Sequence, residues 1–436
     1  MIYVIAIPLA LFMINSGGFR TTADTKMYLD AWQVIEGGSI DQWRTPVYPA
    51  FLGAIEAAFG ELRIETIRDG NDIYDVIVSG PESSTATGHA VVVLQYVALM
   101  FAIFYFYKIA ERLARSRWIA GALTLVFTLA VMASGCNHAL LSEALSVYGI
   151  VFLVDAFLGV VSGKRWSVVG LLLWSIFLVF LRPALAFVPC CVGFMGLCLL
   201  LSKGYRQVAV RLIVAGAVTL LLMLGYCLQF KSQYGVFSMS SIGVVNDYAI
   251  LLEQGVLDAS EVEREDMRED VINQQKLVKS MKENWFGKRM VDKYGVQAVN
   301  ELVQQVSAQH RPQLMGNIPA RFCNAMQGDL MWSVLNSAVP VIDFQKSHGI
   351  KLWIEFLLIV LYALFVIYLL CKKRLLTVGG IVLAFMVMLL ISNWIVVLLG
   401  AVNEYSRLLH AGIPLLLLPL ASISSHICSS ENNADL

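Results

Sequence analysis

Apolar residues fall into long runs separated by short polar segments along most of the 436-residue chain. A helix of about 20 apolar residues is long enough to cross a bilayer. This pattern predicts about ten membrane spans, at residues 2–14, 90–109, 118–133, 144–161, 168–188, 189–201, 208–230, 352–371, 376–399 and 408–423. The first run lacks the basic start and the small-residue cleavage site of a secretory signal, so we interpret it as an uncleaved span.

Basic residues orient these spans. Clusters of Lys and Arg follow the second, fourth, sixth and eighth runs, and all of them fall on one side if the spans alternate in direction. The positive-inside rule makes that side cytoplasmic, together with both chain ends. The polar segments 16–89, 137–143, 231–350 and 403–407 then share the outer face, where we expect any chemistry to take place.

Composition agrees with a membrane protein. Hydrophobic residues make up 58% of the chain and charged residues 15%, whereas soluble domains average about 45–50% and about 25%. The predicted fold class is therefore an all-α polytopic membrane protein. The 32 basic and 32 acidic residues leave no basic excess for binding nucleic acid. The eight cysteines show no CxxC spacing, and no metal site is predicted from them.

The pattern divides the chain into three parts. Residues 1–230 form an N-terminal transmembrane module that includes a first outer loop, 16–89, bearing interfacial helices. Residues 231–350 are polar, with a charged stretch at 260–285 whose apolar residues recur at helical spacing, which predicts a mainly helical region on the outer face. Residues 351–436 form the last membrane helices and a short cytoplasmic tail.

The first outer loop concentrates ionisable and rigid residues. Asp24 and Tyr28 are four positions apart and share one face of a helix. The sequence RTPVYP, from Arg44 through Tyr48 to Pro49, has two prolines that restrict the backbone. The apolar run that follows is too short to span and is predicted to lie along the interface. The alternative is an interfacial turn from which Arg44 extends to lipid headgroups, with the tyrosines forming part of an aromatic belt.

Four further candidates lie on the predicted outer face. Arg182 stands within an apolar run, where an ionisable residue indicates a function, although it could also pair structurally with Glu143. Glu143 begins a span, and simple solvation at the interface would also explain it. Glu404 and Arg407 are three apart, which fits either a binding site or an ordinary surface ion pair.

Several of these stretches resemble one family. An acidic residue, a tyrosine four positions later, a glycine pair and then RTPVYPAFL resemble the first outer loop of the GT-C membrane glycosyltransferases. The nearest branch is the bacterial one related to protein mannosyltransferases and aminoarabinose transferases. Further similar stretches are LLSEAL at 140–145, FLRPALAFVP at 180–189, NIPARF at 317–322 and NEYSRLLHAGIPLLLLPLA at 403–421.

The resemblance implies an inverting transfer of a hexosyl or pentosyl sugar from a polyprenyl-phosphate carrier to a lipid, glycan or protein acceptor. The reaction would take place on the periplasmic face of a bacterial inner membrane and serve cell-envelope polysaccharide biosynthesis. Asp24 matches the family's loop carboxylate, which acts as a base or orients the acceptor. The expected substrate-binding residues are Tyr28, Arg44, Tyr48, Glu143, Arg182, Glu404 and Arg407. The guanidinium groups of the three arginines suit phosphate oxygens.

The chain departs from the family at one position. A second acidic residue often follows the loop carboxylate, whereas Thr25 follows Asp24 here. This departure argues against a metal-dependent mechanism and leaves a divalent cation as an open question, with no other cofactor expected.

Two other function classes remain open. A polysaccharide polymerase or ligase would also act outside on lipid-linked glycans. It needs an outer loop rich in arginine; the region 231–350 contains Arg311 and Arg321, but its acidic residues dilute that positive charge. A transporter or flippase of lipid-linked sugars predicts charges near the bilayer midplane and broken helices in repeated halves. No internal repeat is evident in the chain, which makes transport the third choice.

Overall fold

The computed structural model describes residues 2–19, 21, 23–62, 64–68, 75–79, 83–277, 283–327, 348–401 and 408–431. Its helices are α1 Ile2–Gly17, α2 Ala23–Glu36, α3 Val47–Phe59, α4 Ser83–Ala114, α5 Arg117–Ala133, α6 Glu143–Val161, α7 Ser167–Leu181, α8 Val188–Leu200, α9 Arg206–Tyr234, α10 Ile242–Glu253, α11 Glu265–Leu277, α12 Glu283–Tyr294, α13 Val296–Gln309, α14 Arg311–Gly316, α15 Ile318–Gln327, α16 His348–Cys371, α17 Val378–Gly400 and α18 Ile413–Glu431.

The predicted helical membrane architecture is confirmed, because a helix coincides with each predicted span. Among the described residues, seven helical segments are long and apolar enough to cross a membrane: α4, α6, α9, α16, α17, and α8 and α18 each together with its preceding turn (Pro183–Leu200 and Leu409–His426). The other three predicted spans, α1, α5 and α7, are apolar but shorter. The chain is therefore an integral membrane protein, and its described residues contain seven candidate spans by length where about ten spans were predicted.

Two local features differ from the prediction. The first outer loop contains a two-stranded antiparallel hairpin, β1 (Ile64–Arg68) and β2 (Asp75–Ser79), beside its predicted helices. The predicted span 168–188 ends early, since α7 stops at Leu181 and Arg182 has extended backbone angles (φ −155°, ψ 120°). Pro183 explains this break, because proline disfavours helical geometry in the residue before it.

The basic clusters meet at one end of the helix bundle, here called the basic end. Asp155, near the end of α6, pairs with Arg112 at 3.6 Å and lies within electrostatic reach of Lys164. Arg115 and Arg374 both lie within electrostatic reach of His426 in α18. The turns after α4, α6 and α16 are therefore close together, as the alternation of spans predicts.

The centre of the bundle is α6, in which 16 of 19 residues are buried. The Phe157 ring stacks on Phe385 at 3.7 Å between ring centres and so joins α6 to α17. Gly149 allows α7 to approach, because a Cβ atom there would stand 2.7 Å from the Leu178 side chain. Close approach at small residues is the usual way in which membrane helices gain packing energy.

A second hydrophobic core lies in helices α10 to α14, which we call the cap. Apolar side chains such as Tyr248, Phe286 and Val299 are buried there, apart from the core of the bundle. The predicted helical character of this region holds for its described residues, while 278–282 and 328–347 lie outside them. The domain boundaries at 230 and 350 remain predictions.

The cap, the first outer loop and the turn before α6 share the end of the bundle opposite the basic end, here called the loop end. The Asn246 amide of α10 donates to Gly400 O at the end of α17 (2.8 Å). Arg321 of α15 donates to Ala401 O (3.0 Å). Because α6 runs from Glu143 at this end past Asp155 to Val161 at the other, its 19 residues separate the two ends.

Candidate functional site

Helices α2 and α3 form the floor of the site. They pack closely because Gly53 carries no side chain: a Cβ atom there would stand 2.2 Å from the Trp32 ring. Helix α3 begins at Val47, directly after Pro46, and buries Tyr48 in its first turn. The RTPVYP sequence therefore places Arg44 just outside α3 and Tyr48 just inside it.

Arg44 lies across α2 and reaches Asp24. Its Nη2 atom is 2.5 Å from Asp24 Oδ1, and its Cζ atom is 4.7 Å from the centre of the Tyr28 ring. The two charged side chains are 14% and 24% exposed, so the pair is only partly shielded from solvent. A guanidinium that stacks on a ring and donates to a carboxylate has little freedom, which holds both the cation and the Asp24 carboxylate in place.

Asp41 shapes the loop that carries Arg44. Its Oδ1 accepts hydrogen bonds from the backbone N–H groups of Trp43 (2.8 Å) and Arg44 (2.7 Å). Burial raises the pKa of the Asp41 carboxyl above its usual range, and these backbone hydrogen bonds oppose the rise. Asp41 is thus a buried turn residue that sets the direction of Arg44.

The end of α9 and the cap hold the same loop from the other side, through three contacts that we call the clasp. They are the Tyr234 hydroxyl donating to Ile40 O (2.7 Å), Ser241 N donating to Gln42 O (2.8 Å) and the Lys288 ammonium 4.9 Å from the Trp43 ring. The position of Arg44 therefore depends on the cap as well as on α2.

Two hydroxyl groups attach α2 to the turn before α6. Thr25 is fully buried and donates from Oγ1 to Leu140 O at 3.0 Å. The Tyr28 hydroxyl lies 3.1 Å from Ser142 Oγ, one residue before Glu143. A carboxylate in place of Thr25 would face a carbonyl oxygen, so a hydroxyl donor suits this position and a second acidic residue does not.

A second ion pair joins the start of α6 to the end of α7. Arg182 Nη2 is 3.4 Å from Glu143 Oε1, and the two side chains are 10% and 6% exposed. Among the described residues, Arg182 Nη1 is buried without a hydrogen-bond partner. The pairing with Glu143 was one predicted interpretation of Arg182, and the remaining donor also leaves this guanidinium able to bind an anion.

The two tyrosines lie between the two ion pairs. The Tyr28 and Tyr48 rings meet edge to face with 4.6 Å between their centres, and both lie within electrostatic reach of Glu143. Burial raises the pKa of the Tyr28 hydroxyl above its usual value, so this tyrosine is neutral. The aromatic groups therefore line a partly buried, polar cluster instead of an exposed membrane belt.

The structure brings six of the eight predicted site residues into this one cluster: Asp24, Tyr28, Arg44, Tyr48, Glu143 and Arg182. Glu404 and Arg407 lie in the segment 402–407, outside the described residues. The roles of all eight stay predictions. Among the described residues, no group of three His, Cys, Asp or Glu side chains is placed to hold a metal ion.

The sequence analysis missed the polar residues that support the turn before α6. The Gln95 amide donates to Asn137 O (3.1 Å) and Ala139 O (3.2 Å), and the Tyr148 hydroxyl donates to Asn137 Oδ1. All of these groups are buried, which makes the turn rigid. A glutamine and a tyrosine inside apolar spans were the available signal.

Asn393 and Trp394 were also missed. Both side chains are buried in α17, and Asn393 Nδ2 and Trp394 Nε1 have no hydrogen-bond partner among the described residues. Asn393 packs beside Gly412, whose added Cβ atom would stand 3.4 Å from Nδ2. An asparagine in the middle of an apolar run is a signal that sequence alone provides.

No known family model matches the chain, and no curated protein matches it. One matching solved structure is the crystal structure of ArnT from Cupriavidus metallidurans bound to undecaprenyl phosphate. The two chains are 9% identical, and the match covers 99% of this chain and 78% of that chain with a TM-score of 0.37. A TM-score this low establishes neither fold nor function by itself, so both are argued from this chain's own residues.

Proposed function

We propose that this protein is a membrane glycosyltransferase that moves a sugar from a polyprenyl-phosphate carrier to a hydroxyl group of a lipid, glycan or protein acceptor. The observation that carries the proposal is the arrangement of two ion pairs, Asp24–Arg44 and Glu143–Arg182, on either side of Tyr28 and Tyr48 at the loop end. The resemblance of the surrounding sequence to the GT-C glycosyltransferases supports the same function.

The two ion pairs suit the two groups that such a reaction must bind, the phosphate of the carrier and the hydroxyl of the acceptor. A carrier lipid presents its phosphate at the membrane surface, and that phosphate gains negative charge as the sugar leaves. Arg182 has a buried donor available among the described residues and lies at the end of a membrane helix, where it can bind this group. Arg407 is the further candidate for the same role.

Asp24 is proposed to serve the acceptor. Its carboxylate takes the proton of the acceptor hydroxyl while the acceptor oxygen forms a bond to the anomeric carbon of the sugar. The bond from that carbon to the phosphate oxygen breaks, and its electron pair leaves with the phosphate. Attack opposite the leaving group inverts the anomeric carbon. Arg44 orients the Asp24 carboxylate throughout.

The direction of the chain supports an outer-face site. The loop end lies opposite the basic end, and the positive-inside rule assigns the basic end to the cytoplasm. We therefore place the reaction on the periplasmic face of a bacterial inner membrane. A polymerase or ligase would use the same face and the same class of lipid-linked donor.

Asp24→Asn tests the proposal. In membranes supplied with a labelled polyprenyl-phosphate sugar, we expect the variant to transfer sugar about a hundredfold to ten-thousandfold more slowly than wild type. Asp30→Asn is the matched control, because Asp30 lies on the same helix and pairs with Lys26 on its exposed face. Normal transfer by Asp24→Asn would show that the assigned role is wrong.

A second experiment identifies the reaction itself. Mass analysis of envelope lipids and glycans, with and without the gene, should reveal one product that lacks a sugar residue in the deletion strain. If purified protein in vesicles instead moves the lipid-linked sugar across the bilayer without transferring it, the protein is a transporter and the glycosyltransferase proposal fails.

A further inference from the structure

A polar cleft separates the end of α9 from the cap helices α10 and α13. Its volume is about 470 Å³, which is sufficient for a ligand of several sugar rings. The cleft is distinct from the cluster around Asp24, and none of the predicted site residues lines it. It lies at the loop end, beside the last turn of α9.

Side-chain amides dominate one wall. Gln297, Asn300 and Gln304 line the cleft at positions i, i+3 and i+7 of α13, so they follow one face of that helix. Each amide offers two donors and one acceptor oxygen, which matches the mixed donor and acceptor character of sugar hydroxyl groups. A row of three such groups can contact neighbouring rings of an extended oligosaccharide.

The opposite wall combines backbone and an aromatic ring. Phe237 lines the cleft and is 51% exposed, which offers an apolar face to the C–H groups of a sugar ring. Gly235 has a positive φ of 78°, and a Cβ atom there would stand 2.3 Å from Gln297 Oε1. The bare glycine therefore lets the Gln297 amide lie directly against this wall.

The charges in the cleft disfavour an anionic ligand. Lys231 contributes one positive charge, whereas Asp247 and Glu301 contribute two negative charges, so the lining has one net negative charge. Glu301 also accepts a hydrogen bond from the Gln297 amide at 3.0 Å, which orients the amide row. A neutral ligand rich in hydroxyl groups fits this lining best.

We propose that the cleft binds a neutral oligosaccharide, which is the glycan part of the acceptor. The lining of the cleft by itself supports the binding of an oligosaccharide, whereas the acceptor role rests on the proposed glycosyltransferase function. Position supports the link: Tyr234, adjacent to Gly235 of the cleft, donates its hydroxyl hydrogen bond to Ile40 O in the loop that carries Arg44. An acceptor held here lies next to the element that orients the catalytic carboxylate.

The binding experiment uses the full chain in lipid nanodiscs with chitotriose, maltotriose and mannotriose as neutral probes and trigalacturonate as the anionic probe. We expect titration calorimetry to detect the binding of at least one neutral trisaccharide and to show weaker binding of trigalacturonate. The double variant Asn300→Ala/Gln304→Ala should weaken the neutral ligand by about tenfold or more through the loss of two amide contacts. Gln309→Ala, which removes an exposed amide of the same helix outside the cleft, should bind like wild type.

Three results overturn the proposal: no neutral trisaccharide binds, the double variant binds as wild type does, or trigalacturonate binds most tightly. Asp24→Asn should bind the neutral probe normally, because Asp24 lies outside the cleft. Binding without any sugar transfer by wild-type membranes would remove the proposed function and the acceptor role but leave the cleft as a glycan site. If the double variant transfers sugar with the same KM for the acceptor as wild type, the cleft has no role in acceptor binding, although it can still bind a glycan.

Discussion

The Arg44 guanidinium carbon lies 4.7 Å from the centre of the Tyr28 ring while the same side chain bonds to Asp24. A planar guanidinium can stack on a ring and donate sideways to a carboxylate at the same time, which a compact ammonium cannot do. The geometry of the proposed catalytic carboxylate therefore depends on the shape of the Arg44 side chain as well as on its charge.

Arg44→Lys tests this dependence. We expect sugar transfer to fall about tenfold to a thousandfold although the charge is kept, because the carboxylate loses its fixed partner. The midpoint of thermal unfolding should change little, since the pair is partly exposed. Kinetics on wild-type, Arg44→Lys and Arg44→Ala membranes provide the measurement, and equal rates for Arg44→Lys and wild type would contradict it.

The buried pair Glu143–Arg182 predicts a large effect on stability as well as on transfer. Glu143→Gln alone leaves Arg182 buried without its counter-charge and should destabilise the fold by about 3–5 kcal/mol. The double variant Glu143→Gln/Arg182→Met removes both charges and should recover most of that stability, while transfer stays lost. The free energies of unfolding of Glu143→Gln, Arg182→Met and the double variant in detergent give the coupling free energy between the two side chains. Transfer restored in the double variant would show that Arg182 has only a structural role.

Asp41 predicts a pH-dependent effect on stability. Burial raises the pKa of its carboxyl, so the stabilising contribution of the neutral form is complete below the ordinary value of 3.8 and is lost as pH rises through the folded-state pKa. Asp41→Asn keeps the acceptor oxygen without the charge, and we expect it to be at least as stable as wild type at pH 7. This advantage should disappear towards pH 3.

Asp41→Ala is the matched comparison. It loses both hydrogen bonds to the backbone of Trp43 and Arg44, and it should be less stable than wild type by about 1–3 kcal/mol at either pH. Thermal unfolding of the three proteins across this pH range measures both effects. An Asn variant as unstable as the Ala variant would show that the charge itself holds the turn.

The buried hydroxyl of Thr25 predicts the effect of placing an acidic residue next to Asp24. Thr25→Asp places a buried carboxylate against Leu140 O, so we expect destabilisation by several kcal/mol. Thr25→Ser, which keeps the hydroxyl donor, should unfold within about 1 kcal/mol of wild type. Unfolding midpoints with and without Mg²⁺ or Mn²⁺ check this, and a large metal-induced stabilisation of Thr25→Asp would show that a metal site can form here.

The clasp predicts a positioning effect from outside the site. Trp43→Ala removes the ring that lies under Lys288, and we expect a lower kcat with a nearly unchanged KM for the donor, because Arg44 loses support while Arg182 does not. Trp43→Phe should restore most of the rate. Lys293→Met, on the same helix as Lys288 but paired with Asp270, is the control that should keep normal kinetics.

The sequence predicted the membrane helices well because their signal is local: a run of apolar residues needs no partner to be recognised. The cluster of Asp24, Arg44 and Tyr28 was also accessible, since helical spacing and two prolines bring these residues close together within one segment. The break after α7 was missed although Pro183 carried its signal, because the apolar run continued past it.

Apart from the Glu143–Arg182 pair, contacts between distant segments were not predicted. Nothing local to Thr25 indicates a hydrogen bond to Leu140, and nothing near Trp43 indicates that Lys288 will lie against its ring. Such pairs depend on how whole helices dock, which is decided by the packing of the central helix α6 and by the cap. Nothing local to Asp41 indicates its role either, because that role depends on burial that only the folded loop creates.

The last turn of α9 connects two places where ligands are proposed to bind. Tyr234 holds Ile40 in the loop of Arg44, and its neighbour Gly235 forms a wall of the polar cleft. Thermodynamic linkage makes any effect across this turn reciprocal: the factor by which a glycan in the cleft changes the affinity of a ligand beside Arg44 equals the factor by which that ligand changes the affinity of the glycan. The two proposed contact points of the acceptor, in the cleft and beside Asp24, would therefore strengthen or weaken each other by the same factor.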